Sequence, residues 1–126
     1  MDILIRYGFT IEEIKMIMDS NEEIESKDDK TIKELITTLE EIGCSEKQIK
    51  NIFLCNPFSL TENINSIKNQ IKVLYQYGTD NIPLLLNSNP FLLNKNVNIE
   101  SIIKENELRG LSKEEIIDYF FEHSII

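Results

Sequence analysis

Ile67–Lys68–Asn69–Gln70–Ile71–Lys72–Val73–Leu74–Tyr75–Gln76–Tyr77–Gly78 echoes an earlier stretch of the same chain. That stretch, Ile32–Lys33–Glu34–Leu35–Ile36–Thr37–Thr38–Leu39–Glu40–Glu41–Ile42–Gly43, lies 35 residues before it. Both run on through an apolar segment to the same tripeptide, Asn56–Pro57–Phe58 and Asn89–Pro90–Phe91. A period in this range marks stacked helical units, because one helix pair cannot bury its apolar face alone. The reading is all-α: a short α-solenoid of three to four helix–helix–3₁₀ repeats. Their limits fall near 1–31, 32–66, 67–101 and 102–126 of a single 126-residue domain.

Four turns carry one signature: Gly8–Phe9–Thr10, Gly43–Cys44–Ser45, Gly78–Thr79–Asp80 and Gly110–Leu111–Ser112. Each glycine suits the left-handed residue that ends a helix. Each hydroxyl or carboxylate two residues later suits an N-cap, with Thr10, Ser45, Asp80 and Ser112 in that role. Glu13, Gln48 and Glu115 complete capping boxes. Helices are predicted over about 2–7, 11–19, 29–42, 45–54, 65–77, 80–87, 99–109 and 113–122. Apolar residues recur three and four apart, as in Ile32, Leu35, Ile36, Leu39 and Ile42. Proline stops each second helix and starts a short one, with Asn56 or Asn89 as its cap. Phe58, Leu60, Phe91, Leu92 and Leu93 are expected to plug the space between units. Asn21–Ile24 and His123–Ile126 read as degenerate counterparts, and Ser20–Lys30 as an exposed loop.

This unit resembles the repeat of the mitochondrial transcription termination factor family. The likeness is strongest over residues 30–95. It implies two α-helices and a short 3₁₀ helix per repeat, stacked in a curved solenoid. It also implies nucleic acid held along a basic concave groove. This chain departs from that pattern in being short and acidic.

The net charge is −9. Residues 1–45 contribute −7, residues 46–95 contribute +2 and residues 96–126 contribute −4. Acidic flanks repel phosphate backbones, so charge favours a protein partner over nucleic acid. The lysines that would serve nucleic acid are Lys47 and Lys50, three apart on one helix, and Lys68 and Lys72, four apart on the next. Each pair occupies one helix face. Tyr119, Phe120 and Phe121 cover most of a helix circumference, so one of them is expected outside its own core. There it could dock a further repeat, a partner or a second copy of the chain.

No catalytic, metal or cofactor site is legible. The one histidine, His123, has no second ligand near it. Adjacent carboxylates such as Glu12–Glu13 and Glu114–Glu115 point about 100° apart on a helix, so they do not pair on one face. The four glycines are singletons, not a phosphate loop. Cys44 and Cys55 bracket a helix and would stand roughly 16 Å apart along its axis, beyond disulfide reach. No apolar run reaches the length of a membrane span, and the N-terminus lacks the pattern of a secretory signal. A cytoplasmic, non-enzymatic binding module follows as the expectation. Alanine is absent while Ile occurs 22 times and Asn 13 times, a bias that suggests an AT-rich bacterial genome.

Overall fold

The computed structural model describes residues 2–122, and among these it contains helices and turns but no strand. The first unit comprises α1 (Asp2–Tyr7), α2 (Ile11–Ser20) and the 3₁₀ turn η1 (Glu22–Ser26). The second comprises α3 (Asp29–Glu41), α4 (Glu46–Cys55) and η2 (Pro57–Leu60). The third comprises α5 (Ile64–Tyr77), α6 (Ile82–Ser88) and η3 (Pro90–Leu93). The last comprises α7 (Ile99–Leu108) and α8 (Lys113–Glu122). The first helices α1, α3, α5 and α7 touch in series and form one layer. The second helices α2, α4, α6 and α8 touch in series and form the other, with the 3₁₀ turns packed against it.

The helix ends follow from local chemistry. Thr10 with Glu13, and Ser45 with Gln48, form complete capping boxes. Ser112 and Glu115 exchange the same two bonds, at 3.0 and 3.2 Å. At α6 the cap is Asn81, which accepts from the Leu84 amide at 3.1 Å, and not the expected Asp80. The helix therefore starts at Ile82, with Pro83 in its first turn, where proline's missing N–H costs nothing. Gly78 closes α5 at φ 89°, in the left-handed region. A side chain there would be strained.

Ile and Leu fill the space between the layers, among them Leu4, Ile17, Ile32, Leu39, Ile49, Ile52, Ile67, Leu74 and Leu85, with Phe53 and Phe120 as the largest buried rings. The 3₁₀ turns depart from expectation at their phenylalanines. Phe58 is 52% exposed and Phe91 is only half-buried. Leu60, Leu92 and Leu93 are buried as expected, together with Pro57, Ser59 and Pro90. A 3₁₀ helix has three residues per turn, so the residue after the proline points away from the neighbours that its flanking positions meet. The segment 20–30 is not a free loop either, since η1 buries Ile24 completely.

The asparagines before the prolines stand at the N-cap positions, as expected, but their side chains do not cap. Neither Asn56 nor Asn89 makes a side-chain bond to its own 3₁₀ turn. Each reaches the next unit. Asn21 Nδ2 donates to Pro57 O at 3.3 Å and Thr61 Oγ1 at 2.8 Å. Asn56 Nδ2 donates to Pro90 O and Asn94 Oδ1, both at 3.0 Å. Asn89 Nδ2 donates to Phe120 O at 3.1 Å. All three asparagines are buried. Turn carbonyls left inside without partners would carry a large desolvation cost, and this ladder removes it while fixing the stacking register. The Gln70 side-chain amide does similar work within the third unit, lying within 3.0 Å of the carbonyls of Leu92, Asn94 and Val97.

Candidate nucleic-acid interface

The structure separates the two lysine pairs. Lys47 and Lys50 belong to α4 in the second-helix layer, and Lys68 and Lys72 to α5 in the first-helix layer. Lys47 and Lys50 line a cleft of about 540 Å³ with Glu13, Glu46, Asn51 and Leu54. The α5 lysines have no part in it.

Lys50 is half-buried and occupied by structure. Its Nζ donates to Gly8 O at 3.0 Å. It stands 3.4 Å from Glu13 Oε1 and 5.5 Å from the centre of the Phe9 ring. The Thr10 amide and Lys50 together hold the Glu13 carboxyl below its ordinary range. This lysine fastens the second unit to the first. Lys68 stands 4.0 Å from Glu34 on α3, both about half exposed. An ion pair so open to water contributes little. Lys47 and Lys72 are exposed.

Counting from the turn glycines reveals two lysines that pairwise spacing missed. Lys33 and Lys68 each stand ten residues before their glycine, and Lys72 and Lys104 each stand six before theirs. All four are exposed on the consecutive helices α3, α5 and α7. Neighbouring packed helices lie about 8–10 Å apart. One turn along α5 separates Lys68 from Lys72 by about 6 Å. The result is a lysine stripe across one layer. Tyr75 follows at i+7 from Lys68 and i+3 from Lys72, on the same face, and is 53% exposed. Glu34 and Glu100 border the stripe.

The aromatic end of α8 is mostly core. Phe120 is fully buried. Tyr119 is half-buried and meets Phe120 edge-on, with ring centres 6.2 Å apart at 77°. Phe121 is half-buried and packs on the core. None of the three is an exposed docking ring. His123 and the rest of 123–126 lie outside the described residues. Cys44 is buried and Cys55 exposed, both as free thiols. Among the described residues no cluster of His, Cys, Asp or Glu could hold a metal ion. No helix among them is long and apolar enough to cross a membrane.

Helix pairs stacked in two layers, joined by 3₁₀ turns and bearing lysines in step on one face, define a helical-repeat protein. The family model mTERF matches residues 1–126, the whole chain, and the protein belongs to that family. No curated protein and no solved structure matches it.

Proposed function

We propose that this chain is a non-enzymatic, nucleic-acid-associated helical-repeat module. It would meet phosphate groups with the stripe of Lys33, Lys68, Lys72 and Lys104. The observation that carries the reading is the register of those four exposed lysines on three stacked helices. Membership of the mTERF family supports it over the protein partner that charge alone favoured. Exposed Tyr75 beside Lys72 adds a surface on which an unpaired base can stack. The net charge of −9 keeps binding weak, and the lysine–phosphate contacts make it salt-sensitive.

The test is an anisotropy titration against generic duplex and single strands over a salt series. At physiological salt the duplex should bind no tighter than about 10⁻⁵ M, within the usual non-specific range. The affinity should fall with log salt at a slope of about −3 to −4 if all four lysines engage duplex phosphates. Changing all four to Glu should abolish binding. Binding that survives this change would reject the stripe.

A protein partner is the second reading. The net charge of −9 favours it. So does a hollow of about 380 Å³ lined by Phe58, Phe91, Glu62, Asn94, Lys95 and Val97, where Phe58 offers an open ring. A cytoplasmic setting fits both readings.

A further inference from the structure

The loop after the third 3₁₀ turn departs from the repeat. Three residues, 61–63, join η2 to α5, whereas five, 94–98, join η3 to α7. The longer loop has a unit on either side, and it is fixed from three directions. Gln70, itself buried, holds the carbonyls of Asn94 and Val97 at 2.9 and 2.8 Å. Asn56 Nδ2 donates to Asn94 Oδ1 at 3.0 Å. The Lys95 amide donates to Glu62 Oε2 at 3.2 Å. The Val97 amide closes the loop on Asn94 O at 3.0 Å. A loop held in this way needs little further ordering when a ligand arrives.

The loop walls two adjoining hollows, which share Lys95 and Val97. The outer one, about 380 Å³, has Phe58, Phe91, Glu62 and Asn96 around it. Its Phe58 ring is 52% exposed. Glu62 and Lys95 balance, so this hollow carries no net charge. That suits a neutral ring better than a phosphate. The inner one, about 250 Å³, lies between Asn69 and Val73 of α5 and Asn98 and Glu100 at the start of α7. These are two of the helices that carry the lysine stripe. Lys72 precedes Val73 in the chain, and Lys104 follows Glu100 by one turn. Exposed Lys95 lines both hollows and so extends the positive path from the stripe to the Phe58 ring.

We propose that the outer hollow takes one unpaired base of a single-stranded nucleic acid whose phosphates run from the stripe over Lys95. This rests on the nucleic-acid reading above and adds a preference for single strands to it. The base stacks on Phe58, a contact open to any base because each has a π-face. The Asn96 amide offers a donor and an acceptor to the base edge. The Glu62 carboxylate accepts from an exocyclic amine, as acids do from cytosine. A duplex keeps its bases stacked and must pay unstacking energy to reach the ring. Continuity with the lysine path selects a base over an apolar side chain of a protein partner.

Anisotropy titrations of the full chain at low salt test this, with a labelled oligodeoxycytidylate and an abasic strand of equal length. The two carry the same phosphates, so the ratio of their affinities reads the bases alone. The oligodeoxycytidylate should bind at least about fivefold tighter, as one stacked base implies. Tyr75→Ala should leave a preference, because Phe58 still stacks. Adding Phe58→Ala to Tyr75→Ala should bring the ratio to about one, and Phe58→Trp in its place should restore it. Lys95→Met should lower the salt slope by about 0.7, the share of one single-strand phosphate. Urea midpoints of the Phe58 variants keep a folding defect apart from lost binding. A wild-type ratio near one overturns the proposal, as does a preference that survives Phe58→Ala in the Tyr75→Ala chain. In either case binding that still depends on the stripe lysines upholds the broader reading and leaves the hollow to a protein partner. A chain that binds neither strand overturns both.

Discussion

The side-chain amide of Asn56 donates to the carbonyl of Pro90, 3.0 Å away and 34 residues later in the chain. Asn56 is fully buried, and the carbonyl it satisfies belongs to the proline that opens the next 3₁₀ turn. Replacing Asn56 with Ala removes this bond and the one to Asn94. It leaves buried acceptors without donors, which costs about 1–3 kcal/mol. Asn56→Asp should cost more, because a carboxylate would face a carbonyl and a side-chain oxygen. Urea unfolding of the two variants measures both. Equal stability of Asn56→Ala and wild type would remove the ladder from the account of the fold.

The two neighbours in one 3₁₀ turn should behave oppositely. Leu60 is 2% exposed and Phe58 is 52% exposed. Leu60→Ala should cost about 2–5 kcal/mol, the range for a buried leucine. Phe58→Ala should stay within about 1 kcal/mol, as for most surface changes. The same urea midpoints decide it, and a reversed order would mean that the ring is the inter-repeat plug after all.

This ordering marks where the sequence stops being legible. Helices and their ends were readable, because glycine and capping chemistry act within a few residues: Thr10 with Glu13 and Ser45 with Gln48 sit as their spacing implies. The 3₁₀ turns were readable in place and in the burial of Leu60, Leu92 and Leu93, but not in the facing of their phenylalanines. Whether Phe58 joins Leu60 inside depends on the phase of a single turn, and proline leaves that phase open. The role of Asn56 was hidden for another reason. A capping asparagine accepts through its side-chain oxygen, whereas Asn56 acts through its amide nitrogen, and the acceptor, Pro90 O, is supplied only by the stacked neighbour. The lysine stripe was missed for a third reason. Spacing within one helix linked Lys47 to Lys50, while the proposed stripe runs between helices and includes Lys33 and Lys104. The glycine period contained that signal.

Alkaline pH should loosen the first two units. Burial pushes the Cys44 thiol from an ordinary 9.0 to about 11. Burial, with Glu40, Glu46 and Cys44 nearby, pushes Tyr7 from 10.0 to about 12. Both groups are held protonated in the folded chain, so between these values it binds more protons than the unfolded chain does. Their contribution is complete below the unfolded values. It declines as pH rises from about 9 through 11 and 12. Thermal midpoints across this window should fall, and Cys44→Ala should flatten the lower part of the fall. At neutral pH a thiol reagent should label exposed Cys55 quickly and buried Cys44 slowly. Equal labelling rates would contradict the burial of Cys44.

Lys50 and Lys72 should separate stability from binding. Lys50 is spent on Gly8 O, Glu13 and the Phe9 ring. Lys50→Met keeps most of its apolar stem and removes the charge. It should lower stability by about 1 kcal/mol, since it removes a bond to a turn carbonyl and gives up a cation–π contact. Nucleic-acid affinity should barely change. Lys72 is exposed. Lys72→Met should leave the urea midpoint in place and reduce the salt slope of nucleic-acid binding by about one phosphate contact. Running both variants through the two measurements tests the division of labour within the lysines. If Lys50→Met weakens binding as much as Lys72→Met, the phosphate path crosses the second-helix layer and the stripe on the first-helix layer is misplaced.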